Sequence, residues 1–291
     1  TDLPRPVPTA GGRTEWAWDL PADGDDLELA HCYPYRPADL QRTLDELGDA
    51  FRTETIGITP AGRRLIRLYS ALPEASRPAV MLTARHHAGE TPGSWVLDGL
   101  LRHVAGSDAL RQSATWWSVP FVNLDDALAG SYGKDPWPHD CNRAYGEHTQ
   151  RRVEAFAVTA DARRLKGASA RMFAADLHAP AHGERRSYVP LSGWDGSGEI
   201  NPIGEEFADR FQAAVPENLR SPVAHVTPKG NYARQPGMSC SRWMRNVLGV
   251  ESVSLETSYQ GNGERYYDVA DYRRIGAALA EAIGDWVTRD R

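Results

Sequence analysis

Ala84-Arg85-His86-His87-Ala88-Gly89-Glu90-Thr91-Pro92 is the stretch on which the reading of the fold turns. It follows the apolar run Ala79-Val80-Met81-Leu82, which reads as a buried strand. Beyond it Thr91 suits an N-cap and Pro92 the first helical position, and Val96, Leu100 and Val104 share one helical face. His87 and Glu90 therefore stand where a strand ends and a helix begins, the edge at which α/β sheets usually bind ligands. A neutral imidazole and a carboxylate three residues apart on such a turn can grip one metal ion. Zinc takes this nitrogen and oxygen set and leaves a position open for water. His-x-x-Glu alone is a weak signal, because it arises by chance in many chains.

The surrounding chain supports an α/β reading. Strand-like runs at Thr53–Thr59, Leu65–Ser70, Trp116–Val122, Met172–Leu177 and Ser252–Leu255 alternate with helical patterns at Pro37–Phe51, Arg151–Leu165, Gly204–Ala214, Cys240–Val247 and Val269–Thr288. The expected fold is a mixed, mostly parallel central β-sheet flanked by helices. Residues 1–36 are expected to form a short N-terminal β arm, with strands at Thr14–Leu20 and Leu27–His31, and residues 37–291 the main domain. Loops are expected at Asn123–Asp140 and Ala179–Pro202, both rich in Gly, Pro and Asp.

Composition narrows the function classes. The chain has 291 residues, 41% of them hydrophobic and 25% charged, as in ordinary globular proteins. A net charge of −6 with scattered basic residues argues against a nucleic-acid partner. No apolar run approaches the roughly 18 residues needed to span a membrane. The start, Thr1-Asp2-Leu3-Pro4, shows no signal-peptide pattern, and three cysteines make a disulfide framework unexpected. A cytoplasmic location is the expectation.

Polar residues capable of chemistry recur where strands end. His178 closes Ala174-Ala175-Asp176-Leu177-His178, and Glu256 closes the strand leading into Thr257-Ser258-Tyr259. Two histidines and one carboxylate make a catalytic zinc set, not a closed structural one. A partly desolvated Glu beside a metal can take a proton from water and pass it to a leaving amine. In Asp140-Cys141-Asn142-Arg143, an Arg beside an Asn offers a fork of donors suited to a carboxylate. Taken singly, each has a plainer explanation: a capped strand-end His, a solvated Glu, a surface ion pair. Their shared position at strand ends is what joins them.

These blocks, in this order, resemble the zinc metallocarboxypeptidases, and in particular their cytosolic carboxypeptidase branch. Ala84-Arg85-His86-His87-Ala88-Gly89-Glu90 is similar to that branch's Ala-Arg-x-His-Pro-Gly-Glu block, and Asn123-Leu124-Asp125-Asp126 to its Asn-Pro-Asp-Gly turn. Asp140-x-Asn142-Arg143, Asp176-Leu177-His178 and Leu255-Glu256-Thr257-Ser258 match three further blocks. His31-Cys32-Tyr33-Pro34-Tyr35 with Asp39-Leu40-Gln41 resembles the junction to the branch's N-terminal β-domain, of which residues 1–36 would be a remnant. The resemblance implies that His87, Glu90 and His178 bind one zinc ion and that Asp140 orients His87 through its far nitrogen. It implies that Asn142 and Arg143 hold the substrate's terminal carboxylate and that Glu256 activates a zinc-bound water. His86, one residue further from Glu90, does not fit the turn.

Several positions depart from the family pattern. Its oxyanion Arg is missing from Gly130-Ser131-Tyr132-Gly133-Lys134, where Lys134 is the candidate replacement, supplying charge but not the fork. Asp126 replaces Gly, Leu124 replaces Pro, and Ala179-Pro180 follows the third ligand. Arg242, fourteen residues before Glu256, is the candidate for selecting an acidic C-terminal residue. Tyr232, with Tyr259 as competitor, is the candidate for closing over substrate.

The expected function is removal of a C-terminal residue from a peptide or small peptide-like amide with a free carboxylate. An aspartoacylase- or desuccinylase-like deacylase shares the ligand set but lacks the His31–Gln41 element. A zinc-retaining binding protein without turnover would not need Glu256. Other divalent ions bind similar ligands.

Overall fold

The computed structural model describes residues 7–8, 14–15, 30, 32–134, 140–146, 152–192, 199–228 and 237–289. Two units are distinguished, Thr1–His31 and Cys32–Arg291. In the first, β1 (Val7–Pro8) pairs antiparallel with β2 (Thr14–Glu15). The expected strand at Leu27–His31 and the continuation of Thr14–Leu20 beyond Glu15 lie outside the described residues, save Ala30.

The second unit is built on a six-stranded sheet. Its strands are β3 (Arg52–Ile58), β4 (Arg64–Tyr69), β5 (Ala79–Ala84), β6 (Thr115–Val119), β7 (Met172–His178) and β10 (Glu251–Glu256). They lie in the order β10-β7-β5-β6-β4-β3. β10, β7, β5 and β6 run parallel, while β4 and β3 complete the other edge antiparallel. Two short strands, β8 (Val189–Pro190) and β9 (His225–Val226), pair parallel beside it. β5 and β7 are buried at every residue, which explains their near-continuous apolar runs: a central parallel strand is covered on both faces.

Eight α-helices surround the sheet among the described residues: α1 (Pro37–Leu47), α2 (Thr91–Gly106), α3 (Asp108–Ser113), α4 (Leu124–Ala129), α5 (Val153–Gly167), α6 (Gly204–Ala214), α7 (Cys240–Asn246) and α8 (Val269–Thr288). One apolar core joins α2, α6 and α8 to the sheet through Val96, Leu100, Phe207, Ile283 and Trp286. A second joins α5 and α7 to the other face through Val158, Leu165, Trp243 and Met244. The three cysteines are free, and no described helix is long and apolar enough to cross a membrane.

The α2–α8 contact depends on two glycines. A Cβ on Gly276 would stand 2.0 Å from the Val96 carbonyl oxygen, and one on Gly99 would stand 2.2 Å from that of Arg273. Both are backbone clashes that no rotamer change relieves. Gly276→Ala is therefore expected to lose about 1–3 kcal/mol by overpacking, outweighing the ~1 kcal/mol that Ala gains over Gly in a helix. Urea unfolding checks this, and an unchanged or raised midpoint would show that the helices separate at no cost.

Three local expectations need correcting. Thr91 is not the N-cap of α2, because the helix already includes it and Glu90 takes the cap position. The Thr91 hydroxyl instead donates to the Tyr33 carbonyl at 2.8 Å. The strand expected to reach Val122 ends at Val119, ahead of Pro120, which has no N–H for a ladder. The expected loop from Asn123 contains α4, closed by Gly130 in the left-handed region at φ +73°.

Candidate active site

The parallel strands deliver their last residues to one edge of the sheet. β5 ends at Ala84, and Arg85 turns the chain in the left-handed region at φ +63°, which a side chain with a Cβ rarely adopts. Its buried guanidinium bonds the Ala88 carbonyl at 2.7 Å and the Tyr35 carbonyl at 2.9 Å, tying the turn to the start of α1. Glu90 N–H closes that turn on the His87 carbonyl at 3.2 Å. β7 ends at His178, and β10 places Glu256 directly beside it in parallel register.

His87, Glu90 and His178 are thereby brought together, with potential ligand atoms all within 4.8 Å of one another. Glu90 lies between the imidazoles, with Oε1 3.0 Å from His87 Nδ1 and Oε2 2.7 Å from His178 Nδ1. The Ala179 N–H also reaches Glu90, at 3.2 Å. Each histidine turns its other nitrogen to a second carboxylate: His87 Nε2 is 3.2 Å from Asp140 Oδ1, and His178 Nε2 is 2.8 Å from Asp176 Oδ2. A neutral histidine that donates Nε2–H in this way leaves the Nδ1 lone pair facing the centre, as a metal ligand needs. The donor set, two imidazole nitrogens and one carboxylate, fits zinc with an open position.

All three residues are almost wholly buried. Burial opposes charge on both imidazoles, yet Glu90 beside His87, and Asp176 with Glu90 beside His178, raise both pKa values. Burial would push Asp140 up, but the His87 hydrogen bond and charge bring it down to about 2. The negative charge collected around the two imidazoles suits a bound cation. Glu256 is raised by burial, which suits a group that must take up a proton.

A cavity of about 530 Å³ opens on this cluster, lined by His87, His178, Glu256, Asn142, Arg143 and Arg242 among others. Lys134 also lines it, its ammonium 3.1 Å from Glu90 Oε1 and 5.3 Å from the Tyr132 ring centre. The Asn142 side chain is anchored: its Oδ1 accepts from Cys240 N–H at 2.9 Å, and its Nδ2 lies 2.9 Å from His178 Nε2. Arg143 donates to the Asn142 carbonyl at 2.8 Å and faces the cavity. Arg242 pairs with Glu199 Oε2 at 2.9 Å, and Arg245 approaches the same carboxylate at 3.8 Å. Tyr232 lies outside the described residues; Tyr259 is buried, its ring edge-on to His182. His86 stands apart from the cluster, fully buried with its nitrogens on Asp176 and Tyr145.

Two carboxylates that touch the site residues were not anticipated from sequence. Glu199 follows no motif. Asp176 left a usable trace: residues two apart in a strand share a face, so a carboxylate two before His178 in a buried strand must lie beside it.

No model of a known protein family matches the chain. It is 31% identical over 297 residues to cytosolic carboxypeptidase 3 of Bos taurus and 27% identical over 298 residues to that of Mus musculus, in each case over 95% of this chain and 29% of the relative. The chain thus spans less than a third of these relatives. A metallo-carboxypeptidase from Burkholderia cenocepacia superposes with a TM-score of 0.69 at 22% identity, covering 87% of this chain and 69% of that one. Another, from Pseudomonas aeruginosa in complex with (2-guanidinoethylmercapto)succinic acid, gives 0.70 at 18% identity, covering 88% and 70%. In sequence the chain is thus similar to the cytosolic carboxypeptidases, and in fold to the metallo-carboxypeptidases.

Proposed function

We propose that this chain is a zinc-dependent hydrolase that removes a C-terminal residue from a peptide or peptide-like amide. The observation that carries the reading is the convergence of His87, Glu90 and His178 beside Glu256 on one cavity. The three would hold the metal through two Nδ1 atoms and the Glu90 carboxylate, with Asp140 keeping His87 in the required tautomer. When bound, zinc polarises a scissile carbonyl and makes a neighbouring water more acidic. Glu256 takes the proton from that water and returns it to the leaving nitrogen. Arg143, with Asn142 holding the loop around it, binds the substrate's terminal carboxylate. Lys134 stabilises the developing oxyanion as a point charge.

Arg242 and Arg245 bring two guanidinium groups to the far end of the cavity against the Glu199 carboxylate, which favours an acidic terminal side chain. Mass spectrometry of peptides differing only in the last residue tests this. Loss of one residue, stopped by chelator and by amidation of the terminus, is the expected result, fastest for terminal Glu or Asp. Arg143→Ala should slow cleavage of the free acids by about 10–100-fold through one lost charged contact. Cleavage of N-acyl amino acids alone would overturn the peptidase reading, and indifference to the terminal side chain would remove Arg242 from selection.

A further inference from the structure

The buried group behind His178 has no part in the function proposed so far. Asp176 Oδ2 lies 2.8 Å from His178 Nε2, while its Oδ1 lies 2.7 Å from the Thr83 hydroxyl and 2.8 Å from His86 Nδ1. His86 Nε2 lies 2.6 Å from the Tyr145 hydroxyl. All five side chains are buried at 3% exposure or less. The hydrogen bonds run one way. Tyr145 O–H donates to His86 Nε2, His86 Nδ1–H and Thr83 O–H donate to Oδ1, and Oδ2 is left to accept from His178.

With Nδ1 of His178 and the Glu90 carboxylate both given to the metal, the ring's proton belongs on Nε2. Its Nε2 has two close neighbours, Asp176 Oδ2 and Asn142 Nδ2. Asn142 presents its NH₂ group there, because its oxygen is taken by Cys240 N–H. An NH₂ accepts nothing, so an N–H on Nε2 has only Asp176 to receive it. Of the two contacts at Nε2, the one to Asp176 Oδ2 is the shorter, at 2.8 Å against 2.9 Å to the Asn142 NH₂, and it is the one that holds the proton there.

We propose that Asp176 is a positioning residue for the metal centre: held by Thr83 and His86, it fixes the proton of His178 on Nε2 and so aims Nδ1 at the metal. This rests on the metal-site reading above. Asp140 does the same for His87, so each histidine ligand has its own carboxylate. Asp176 differs in being locked by a further shell, ending at Tyr145, that never reaches the cavity.

Asp176→Asn is the direct test, because an amide at this position can donate to Nε2 and drive the proton onto Nδ1. Zinc affinity of the full chain is measured by competition with a chromophoric chelator for the native protein, D176N and H178A. The expected result is a 10–100-fold loss for D176N, the range for outer partners of metal ligands, and a larger loss for H178A. Unchanged affinity in D176N with affinity lost in H178A would overturn the proposal and leave the metal site standing. Native affinity in H178A would instead overturn the metal-site reading. If D176N does not fold, ¹⁵N-histidine NMR of the native protein loaded with ¹¹³Cd decides. The proposal requires a proton on Nε2 of His178 and cadmium coupling to Nδ1; the reverse pattern refutes it.

Discussion

Glu256→Gln is expected to lower kcat by about 10²–10⁴-fold, the span for loss of a general acid–base group, with zinc content unchanged. The separation follows from position. Glu256 lies one strand over from His178 in the β7–β10 ladder and lines the cavity, while the ligand cluster consists of His87, Glu90 and His178 without it. An amide keeps the shape and the backbone bonds to Tyr188, both 2.9 Å, but cannot accept a proton from water. The same substitution should leave KM nearly unchanged, since the residue proposed to hold the substrate terminus is Arg143 and not Glu256. Turnover of a chromogenic peptide alongside metal analysis by mass spectrometry gives both quantities. Near-native turnover would remove Glu256 from the chemistry.

Glu90→Ala should have the largest effect on metal retention, a loss beyond the roughly 100-fold ceiling typical of outer-shell partners. Among the described residues Glu90 is the one that touches both Nδ1 atoms, and it also meets Lys134 and the Ala179 N–H. Its removal takes away a ligand and leaves the Lys134 ammonium facing the metal position without the carboxylate between them. Like charges at that range repel in a buried site. The measurement is zinc retained after dialysis against a weak chelator. Full occupancy in the variant would mean that the ion sits elsewhere.

Much of this site was legible because strand ends are legible. An apolar run that stops at a His or Glu marks both a buried strand and a polar group delivered to its edge, and His178 and Glu256 announce themselves so, while His87 is marked by the His-x-x-Glu turn that follows its strand. The six-stranded sheet followed from the same runs. What escaped was set by partners distant in sequence. Thr91 reads as a cap because caps are local, but its hydroxyl is claimed by Tyr33, fifty-eight positions earlier. The helix Leu124–Ala129 hides in a stretch rich in Asp and Gly because six residues carry too little periodicity to compete with loop composition. Asp176 was visible as a block and not as a role, since that depends on which atom of His178 needs an acceptor. The partner of Arg242 could not be named from sequence, because Glu199 is brought across from another segment.

The pairing of β7 with β10 has a consequence for how such a site can diversify. His178 and Glu256 occupy matched rungs of one ladder that begins at Phe173 and Glu251. Neighbouring strands keep a spacing of about 4.8 Å whatever their side chains. The distance between the proposed proton acceptor and the proposed third ligand is thus a property of the backbone, insulated from the long segments that emerge beyond each strand. Of these, the segment beyond β7 supplies Ala179, Pro180, Glu184, Tyr188, Ser192 and Asn201 to the cavity wall. Such segments are free to be lengthened, shortened or exchanged between homologues, retuning which terminus is accepted while the reacting groups keep their alignment.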